Sequence, residues 1–378
     1  MLAPPYDVLS ADDVDRLNAR DPHNITWIDV PRGGADRYAA AGERLRAWLA
    51  AGVLVTDPEP GYTIYRMKLT DATGRPRTIC GVLGGLEVVD AGAGGVLPHE
   101  RTTPKDSTDR LDLTIATGAN LSPVWGLSLA SGLTAALAAG GEPLASVEVD
   151  GVIHSVERVT DPERIAGIGE IIGSDDVLIA DGHHRYGISR SYRDRVRAAT
   201  GRRDTAAEYT LAFVNELVDE QLSIEAIHRI YTGIGLDRLR AELAGSFTFE
   251  PVTGELGPAT LAQMVRDERL VLLDAQGGAE WLVPRPGAFD RVRALDGAWL
   301  EHALAGSAAQ VGYQHGLAEV RATLAGGTHT AAVLIRPTSL AEIQRTAREG
   351  LLMPPKSTFF TPKLLTGLVI RATEALPH

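Results

Sequence analysis

The sequence has only one cysteine, Cys80, among its 378 residues. A single thiol excludes an internal disulfide framework and fits a reducing cytoplasm. The chain also lacks an apolar run long enough to cross a bilayer, and we find no signal peptide in it. We therefore expect a cytoplasmic protein that does not act at a membrane.

Basic residues are too few to give the chain a broadly positive surface. It has 37 Lys and Arg against 49 Asp and Glu, and hence a net charge of −12. Proteins that bind nucleic acid need a basic footprint, which this composition does not provide. The sequence thus predicts no nucleic-acid partner, and any phosphate-binding site has to be local.

The hydrophobic content of 44% is that of a globular chain, and the length allows two or more cores. Helical and strand patterns alternate, which predicts an α/β or α+β fold. We expect one unit over residues 1–200 and an α/β C-terminal region over residues 201–378. The predicted helices cover 10–20, 35–51, 163–172, 339–350 and segments from 184 and from about 362; the predicted strands cover 62–69, 78–89, 177–180, 209–217, 270–273, 328–335 and one strand within 143–158.

The densest group of polar side chains is Asp181-Gly182-His183-His184-Arg185, directly after an apolar segment. A strand-to-helix turn at this point would present backbone N–H groups and the positive end of a helix, which favour a bound anion. Gly182 allows a sharp turn or a close backbone approach. A capped helix with a structural Asp–Arg pair is the simpler alternative. Two adjacent histidines fit that alternative poorly.

Two further clusters carry groups suited to phosphoryl chemistry. In residues 99–102, Glu100 could act as a general base towards a substrate hydroxyl. Residues 356–358 and Lys363 supply ammonium and hydroxyl groups near the predicted last helix, a composition that suits phosphate. The glycines of a Walker A loop are missing there. Both clusters could equally be solvated loops, and the turn at residues 4–7 could simply hold the N-terminus in place.

Six ordered motifs run through the sequence. They are Ala3-Pro4-Pro5-Tyr6-Asp7-Val8, Pro98-His99-Glu100-Arg101-Thr102, Asp109-Arg110-Leu111 with Ala119-Asn120-Leu121-Ser122-Pro123, Asp181-Gly182-His183-His184-Arg185-Tyr186, His228-Arg229, and Met353-Pro354-Pro355-Lys356-Ser357-Thr358 to Pro362-Lys363-Leu364. In this order the motifs resemble the domain-of-unknown-function family numbered one thousand fifteen over nearly the whole chain. Members usually carry an N-terminal segment with a first strand before the Pro-Pro-Tyr-Asp motif, so we expect that strand to be absent or the start site to be misassigned.

The Asp-Gly-His-His-Arg turn is similar to the phosphate-binding signature of the ParB and sulfiredoxin superfamily. It is most similar to that of the free serine kinases, which also carry an upstream Pro-His-Glu segment. The resemblance implies a ParB/sulfiredoxin-like nucleotide-binding core, with ATP or ADP and Mg²⁺ as cofactors. It implies a kinase that phosphorylates a hydroxyl of a small metabolite, with free serine as the leading acceptor.

The same resemblance assigns roles to individual residues. Glu100 would be the base, Asp181 and His183 would also be catalytic, and Asp181 would hold Mg²⁺ or the substrate. The residues that would bind the cofactor are Gly182, His183, His184, Arg185, Lys356, Ser357, Thr358 and Lys363. The residues that would bind the substrate are His99, Arg101, Thr102, His228 and Arg229.

Other activities of the superfamily fit the sequence less well. Sulfiredoxins place a cysteine in this turn, where the chain has His183 and His184, and ParB clamps need a helix-turn-helix module that we do not find. Two interpretations stay open: a metal-dependent hydrolase that uses Asp181, His183 and His184, and a nucleotide-binding regulator without turnover. Arg185 beside these side chains favours an anion over a metal ion.

Overall fold

The computed structural model describes residues 1–98, 107–354 and 356–373. The fold is mixed α/β, and the chain divides into two compact units. Unit 1 contains the described residues of 1–69, 78–221 and 362–378, and unit 2 contains 70–77 and 222–361. Residues 201–221 and 362–373 therefore lie in unit 1, whereas the sequence-based division assigned them to the C-terminal region.

Several helices begin at side-chain caps that the sequence supplies. Ser10 Oγ accepts a hydrogen bond from the Asp13 N–H at 3.2 Å, and the Asp13 carboxylate accepts one from the Ser10 N–H at 3.0 Å, as a capping box requires. No helix in the described ranges combines the length and apolar character needed to cross a bilayer. The helices of unit 1 are α1 (Ala11–Arg20), α2 (Thr26–Asp29), α3 (Arg37–Ala50), α4 (Ser107–Thr117), α5 (Leu133–Leu137), α6 (Pro162–Gly173) and α7 (His183–Thr200), and those of unit 2 are α8 (Leu236–Leu243), α9 (Pro258–Asp267), α10 (Asp296–Ala303), α11 (Leu317–Ala325) and α12 (Leu340–Arg348).

The strands range from two-residue pairs to long ribbons. In chain order they are β1 (Tyr62–Thr70), β2 (Pro76–Glu87), β3 (Val96–Pro98), β4 (Ala119–Asn120), β5 (Val124–Ser128), β6 (Glu142–Val149), β7 (Val152–Val159), β8 (Val177–Asp181), β9 (Tyr209–Glu216), β10 (Ile224–Glu225), β11 (Ile227–Thr232), β12 (Phe247–Pro251), β13 (Leu270–Asp274), β14 (Ala279–Pro284), β15 (Gln310–His315), β16 (Ala331–Leu334), β17 (Phe359–Phe360) and β18 (Arg371–Ala372).

Unit 1 is built on a mixed sheet with the strand order β3-β8-β5-β9-β2-β1-β7-β6. Strand β8 pairs in parallel with β3 and antiparallel with β5. Residues 177–180 of β8 are all buried. Their continuous apolar sequence is typical of a strand that is covered on both faces. This packing fixes the end of β8, from which the Asp181 turn emerges.

Unit 2 contains an antiparallel sheet with the order β12-β14-β13-β16-β11-β15. Both faces of its central strand β13 are buried. On β13, Leu270 and Leu272 belong to one apolar cluster, together with Leu239 of α8 and Leu300 of α10. The alternate residues of β13 belong to a second cluster that includes residues of α9 and α11. Successive side chains of β13 therefore point to opposite faces of the sheet, and helices pack against each face.

The structure corrects one strand prediction. Residues 143–158 were expected to contain a single strand, but they form β6 and β7, which pair antiparallel. The connection is Asp150-Gly151, with φ of 50° and 76°. An Asp-Gly pair with both residues at positive φ is a strong two-residue hairpin turn. The signal that would have predicted two strands is thus present in the sequence itself.

The helix predicted from about Pro362 is wrong. Residues 362–370 are irregular, and residues 371–372 form β18, which pairs with β4. The N–H of Thr366 donates to the carbonyl of Ala3 at 2.8 Å, and the N–H of Ala3 donates back at 3.3 Å. Backbone pairing with distant segments therefore replaces local helical bonds here, and Lys363 does not lie at a helix N-terminus.

Candidate functional site

The centre of the candidate site is the turn between β8 and α7. Gly182 there has φ of 87°, a left-handed conformation that side chains rarely adopt. A Cβ atom at this position would lie 3.1 Å from the guanidinium carbon of Arg185 and 3.3 Å from Cα of Val124. Both the backbone conformation and the crowded surroundings explain why the turn contains glycine.

Asp181, at the end of β8, is held between two cations. Its Oδ2 lies 3.3 Å from Nζ of Lys363 and 3.3 Å from Nη2 of Arg185. The Asp181 side chain is 26% exposed, and that of Lys363 is 19% exposed. Burial opposes ionisation of Asp181, but Arg185 and Lys363 outweigh it and lower the pKa of the carboxyl group. The site therefore contains a carboxylate that stays ionised.

Arg185 is largely occupied by protein groups. Its Nη1 donates to the carbonyl oxygen of Pro123, and its Nη2 also lies 3.8 Å from Oδ2 of Asp7. The side chain is only 9% exposed, and Nε has no hydrogen-bond partner among the described residues. Arg185 thus ties the turn to Asp7 and Pro123.

The N-terminal motif packs against the same part of unit 1. The guanidinium of Arg110 lies 3.7 Å from the centre of the Tyr6 ring, and it pairs with the Asp29 carboxylate. Burial raises the pKa of the Tyr6 hydroxyl, although Arg110 and Arg185 act in the opposite direction. The sequence alone indicated only that Tyr6 and Asp7 anchor the chain terminus. Their place in an ordered motif was the signal that they belong with the turn.

A small cleft beside the turn, of about 40 Å³, is rich in polar groups. Arg110 and Arg185 line it together with the carboxamide of Asn120. Hydroxyl-bearing residues of four segments complete the lining; they are Thr114 and Thr117 of α4, Ser122, Ser189 of α7 and Thr210 of β9. The structure thus brings together residues of the motifs at 3–8, 109–123, 181–186 and 362–364 within unit 1.

The N-terminus of α7 provides the strongest anion-binding feature. Gly182 offers no capping side chain, and the first turn of α7 contains no acidic residue. The first helical bond runs from the Tyr186 N–H to the Gly182 carbonyl at 2.9 Å. An eighteen-residue helix with an uncapped start presents N–H groups and the positive end of its dipole. His183 is half-buried and His184 is exposed at this helix end.

Pro98, the last described residue before the predicted base, lies beside β8 near the turn. Strand β3 ends at Pro98, which is paired with Ile179 of β8. Asp181 lies two residues beyond Ile179 in the same strand. His99, Glu100, Arg101 and Thr102, which follow Pro98, lie outside the described residues.

The other predicted site residues lie in unit 2. Nδ1 of His228 accepts a hydrogen bond from the Ile335 N–H at 3.1 Å, and burial lowers the pKa of His228 to about 4. Nη1 of Arg229 donates to the Lys356 carbonyl at 3.4 Å. Ser357 Oγ donates to the Pro354 carbonyl at 2.7 Å, and Thr358 is buried. No helix follows residues 356–358 in the described chain, so the predicted helix-terminal phosphate loop is not formed there.

The described residues suit an anion better than a metal ion. Within the described ranges, no group of three or more His, Cys, Asp and Glu side chains is placed to hold a metal. Oδ2 of Asp181 already faces Lys363 and Arg185, which a cation would have to displace. Mg²⁺ commonly needs only one or two carboxylates when substrate phosphates supply other ligands. Asp181 therefore fits Mg²⁺ only together with a nucleotide.

Comparisons with known proteins give one family match and several distant structural matches. A family model described as protein of unknown function (DUF1015) matches residues 1–298. No curated protein matches the sequence. Similar solved structures include a free serine kinase in complex with AMP, at 11% identity and a TM-score of 0.38, covering 74% of this chain and 87% of that chain.

Two other solved structures are similarly distant. A conserved hypothetical protein from Pyrococcus furiosus has 11% identity and a TM-score of 0.37, with 74% of this chain and 90% of that chain covered. SbnI from Staphylococcus aureus, truncated at its C-terminus, has 13% identity and a TM-score of 0.37, with coverages of 75% and 85%. At such values the likeness does not establish a shared activity.

Proposed function

This chain belongs to the family described as protein of unknown function (DUF1015), and from that premise we propose that it is a nucleotide-dependent phosphotransferase. It binds ATP or ADP at the Asp181 turn of a ParB/sulfiredoxin-like core. It transfers a phosphoryl group to a hydroxyl of a small metabolite, with free serine as the first acceptor to test.

The observation that carries the proposal is the juxtaposition of Asp181, Lys363 and the uncapped start of α7. Lys363 Nζ lies 3.3 Å from Oδ2 of Asp181, and Asp181 directly precedes Gly182, the N-cap residue of α7. Phosphate groups bind readily at helix N-termini, and a lysine adds a point charge there. The Asp181 carboxylate lies between Lys363 and Arg185 and holds both side chains in place before the ligand binds. Lys363, Asp181 and the start of α7 thus form an anion-binding site whose charged groups are already in position.

Phosphoryl transfer needs positioning and charge neutralisation more than covalent chemistry. In the proposed mechanism the backbone N–H groups of the first turn of α7 and Lys363 Nζ hold the nucleotide phosphates. The imidazole of His184, which is exposed at this helix end, adds a hydrogen bond to a phosphate oxygen. Arg185 keeps Asp181 in register through its bonds to Pro123 and Asp181. Bound Mg²⁺ would neutralise phosphate charge.

The base that takes the proton of the acceptor hydroxyl is assigned to Glu100 by the family resemblance. Asp181 itself is a poor base, because Arg185 and Lys363 outweigh its burial and lower its pKa. Pro98 immediately precedes the Glu100 segment and pairs with Ile179, at the β8 end of the site. Asp181 instead orients the acceptor by accepting a hydrogen bond from it.

Phosphorus NMR tests the proposed class directly. The purified chain is incubated with Mg²⁺, either ATP or ADP, and a pool of amino acids and polyols, with Asp181→Asn as the matched inactive variant. A new phosphate monoester that forms with the wild-type chain only is the expected result. Nucleotide binding without any monoester would contradict the kinase and favour a regulator, whereas absence of nucleotide binding would contradict the site itself.

A further inference from the structure

Unit 2 contains a cavity of about 320 Å³ that lies outside the Asp181 site. This volume is at the lower end of the range for small-molecule sites, roughly 300–1,000 Å³. Arg229 of β11, Trp299 of α10 and Arg336 line it, together with Thr338 and Ser357. The carboxylates at its wall are Glu268, Asp296 and Glu301.

Arg229 is a buried cation without a carboxylate partner among the described residues. The residue is 5% exposed, and its hydrogen bonds go to the carbonyl oxygens of Ile227 and Lys356. Its guanidinium lies 4.8 Å from the centre of the ring of Tyr313, which stands opposite Arg229 on the neighbouring strand β15. Burial lowers the pKa of Arg229, although the nearby carboxylates of Asp296 and Glu301 act in the opposite direction. A buried guanidinium that no carboxylate contacts directly is unfavourable, so Arg229 can take a further anionic partner.

Trp299 supplies a second, independent unsatisfied donor. Its indole Nε1 is buried and has no hydrogen-bond partner among the described residues. The ring itself is fixed, because it stacks on Phe289 with centroids 4.7 Å apart and lies under the guanidinium of Arg336. Buried indole N–H groups normally find an acceptor. The cavity lining therefore includes a cation that no carboxylate contacts, Arg229, and an indole N–H without an acceptor, that of Trp299.

The surroundings of Arg229 favour an anion as the missing partner. Gly297, in the first turn of α10, leaves room for the guanidinium, since a Cβ there would lie 2.5 Å from Nη2 of Arg229. A cation beside a helix N-terminus is unfavourable unless negative charge is present. Asp296 does not supply this negative charge to Arg229, because its carboxylate accepts hydrogen bonds from the side chain and the backbone N–H of Arg336 at 2.7 Å each.

We propose that this cavity of unit 2 is a binding site for a small oxyanion, which accepts hydrogen bonds from Arg229 and Trp299 Nε1. The ligand group is a carboxylate or a phosphate. Glu268 and Glu301 are exposed at the wall and limit the site to a compact anion. This inference goes beyond the proposed phosphotransferase activity, and it uses none of the residues of the Asp181 turn.

Indole NMR provides the test. The chain is labelled with ¹⁵N-tryptophan, and the Trp299 signal is assigned by its loss in Trp299→Phe. Sodium phosphate and sodium acetate are titrated separately at constant ionic strength, with sodium chloride as the control. We expect a saturable shift of the Trp299 indole signal with phosphate, acetate or both, and the anion that saturates identifies the ligand class. Absence of a saturable shift with both anions would overturn the proposal.

Matched variants separate binding from general charge effects. Arg229→Met should weaken binding by about tenfold or more, as expected for loss of a charge-assisted contact, whereas Arg238→Met, an exposed change on α8, should leave it unchanged. If Arg229→Met does not fold, calorimetry on Trp299→Phe gives the same decision, because an aromatic ring remains while the donor is lost. Equal affinity in Trp299→Phe and wild type would contradict the site. Asp181→Asn should bind the anion normally, which keeps this result independent of the kinase proposal.

Discussion

Nζ of Lys363 lies 3.3 Å from Oδ2 of Asp181, although 182 residues separate the two in sequence. The contact joins a segment near the end of the described chain to the turn after β8. It lies within unit 1, so the cation and the carboxylate share one packed body. The proposed phosphate-binding site depends on this long-range pair.

Removal of the Lys363 ammonium should weaken nucleotide binding. For Lys363→Met we expect about a tenfold rise in the nucleotide Kd, since one charge-assisted contact is lost. Calorimetric titration with ADP measures the change. Lys68→Met, an exposed substitution in β1, is the matched control. An unchanged Kd in Lys363→Met would remove this residue from the phosphate site.

Gly182→Ala should destabilise unit 1 and impair nucleotide binding. The positive φ is strained for alanine, and the new Cβ would crowd Arg185 and Val124. We expect a loss of about 1–3 kcal/mol in the free energy of unfolding. Gly187→Ala, within α7 and with open space around it, should stabilise the helix by about 0.5–1 kcal/mol. Urea unfolding compares the two, and similar effects of both changes would contradict the assigned turn geometry.

His228 should make the stability of unit 2 depend on pH. Burial lowers its pKa from 6.5 to about 4 in the folded state. The unfolded chain therefore binds more protons between these pH values, and stability falls as the pH drops from 6.5 towards 4. The full effect is about 3 kcal/mol at roughly 1.36 kcal/mol per pH unit.

Unfolding experiments at several pH values test this assignment. His228→Asn, which keeps a hydrogen-bond acceptor for the Ile335 N–H but does not titrate, should flatten the pH dependence over that window. His302→Asn, which removes an exposed imidazole in the same unit, is the control. It should leave the slope of the unfolding free energy against pH unchanged. The same slope in His228→Asn and wild type would show that another group titrates.

Glu100→Gln should abolish phosphoryl transfer while nucleotide binding survives, because the amide cannot accept the proton of the acceptor hydroxyl. Loss of a general base typically lowers kcat by about 10²–10⁴-fold. Phosphorus NMR measures turnover, and calorimetry measures nucleotide affinity. Glu148→Gln, on the exposed strand β6, serves as the control. Full activity in Glu100→Gln would disprove the assignment of the base.

The sequence predicted the local part of the candidate site. The apolar run at 177–180, the glycine and the polar group after it indicated a strand, a turn and a helix, and these elements are β8, Gly182 and α7. The signals are local, since burial of a strand and the φ angle of a glycine depend on few neighbours. The helices predicted over 10–20 and 339–350 were found for the same reason, and Ser10 and Ser339 cap their first turns.

The non-local part of the site was harder to predict. Lys363 was expected near the start of a helix predicted from about residue 362. The actual conformation is decided by backbone pairing of residues 366 and 371–372 with residues 3 and 119–120. Such partners are distant in the sequence, and no local pattern reveals them. The bonds of Arg185 to Asp7 and Pro123 were unpredictable on the same grounds.

The closing segment of unit 1 also sets an order of events during synthesis. Strand β18 and the bridge between Ala3 and Thr366 use residues made after all of unit 2. A ribosome adds about 5–20 residues per second, with N-terminal parts emerging first. Lys363 can reach Asp181 only after all of unit 2 has been synthesised. In a nascent chain the anion-binding site is therefore incomplete for about 9–36 seconds after Asp181 has been added, because 182 positions separate the two residues.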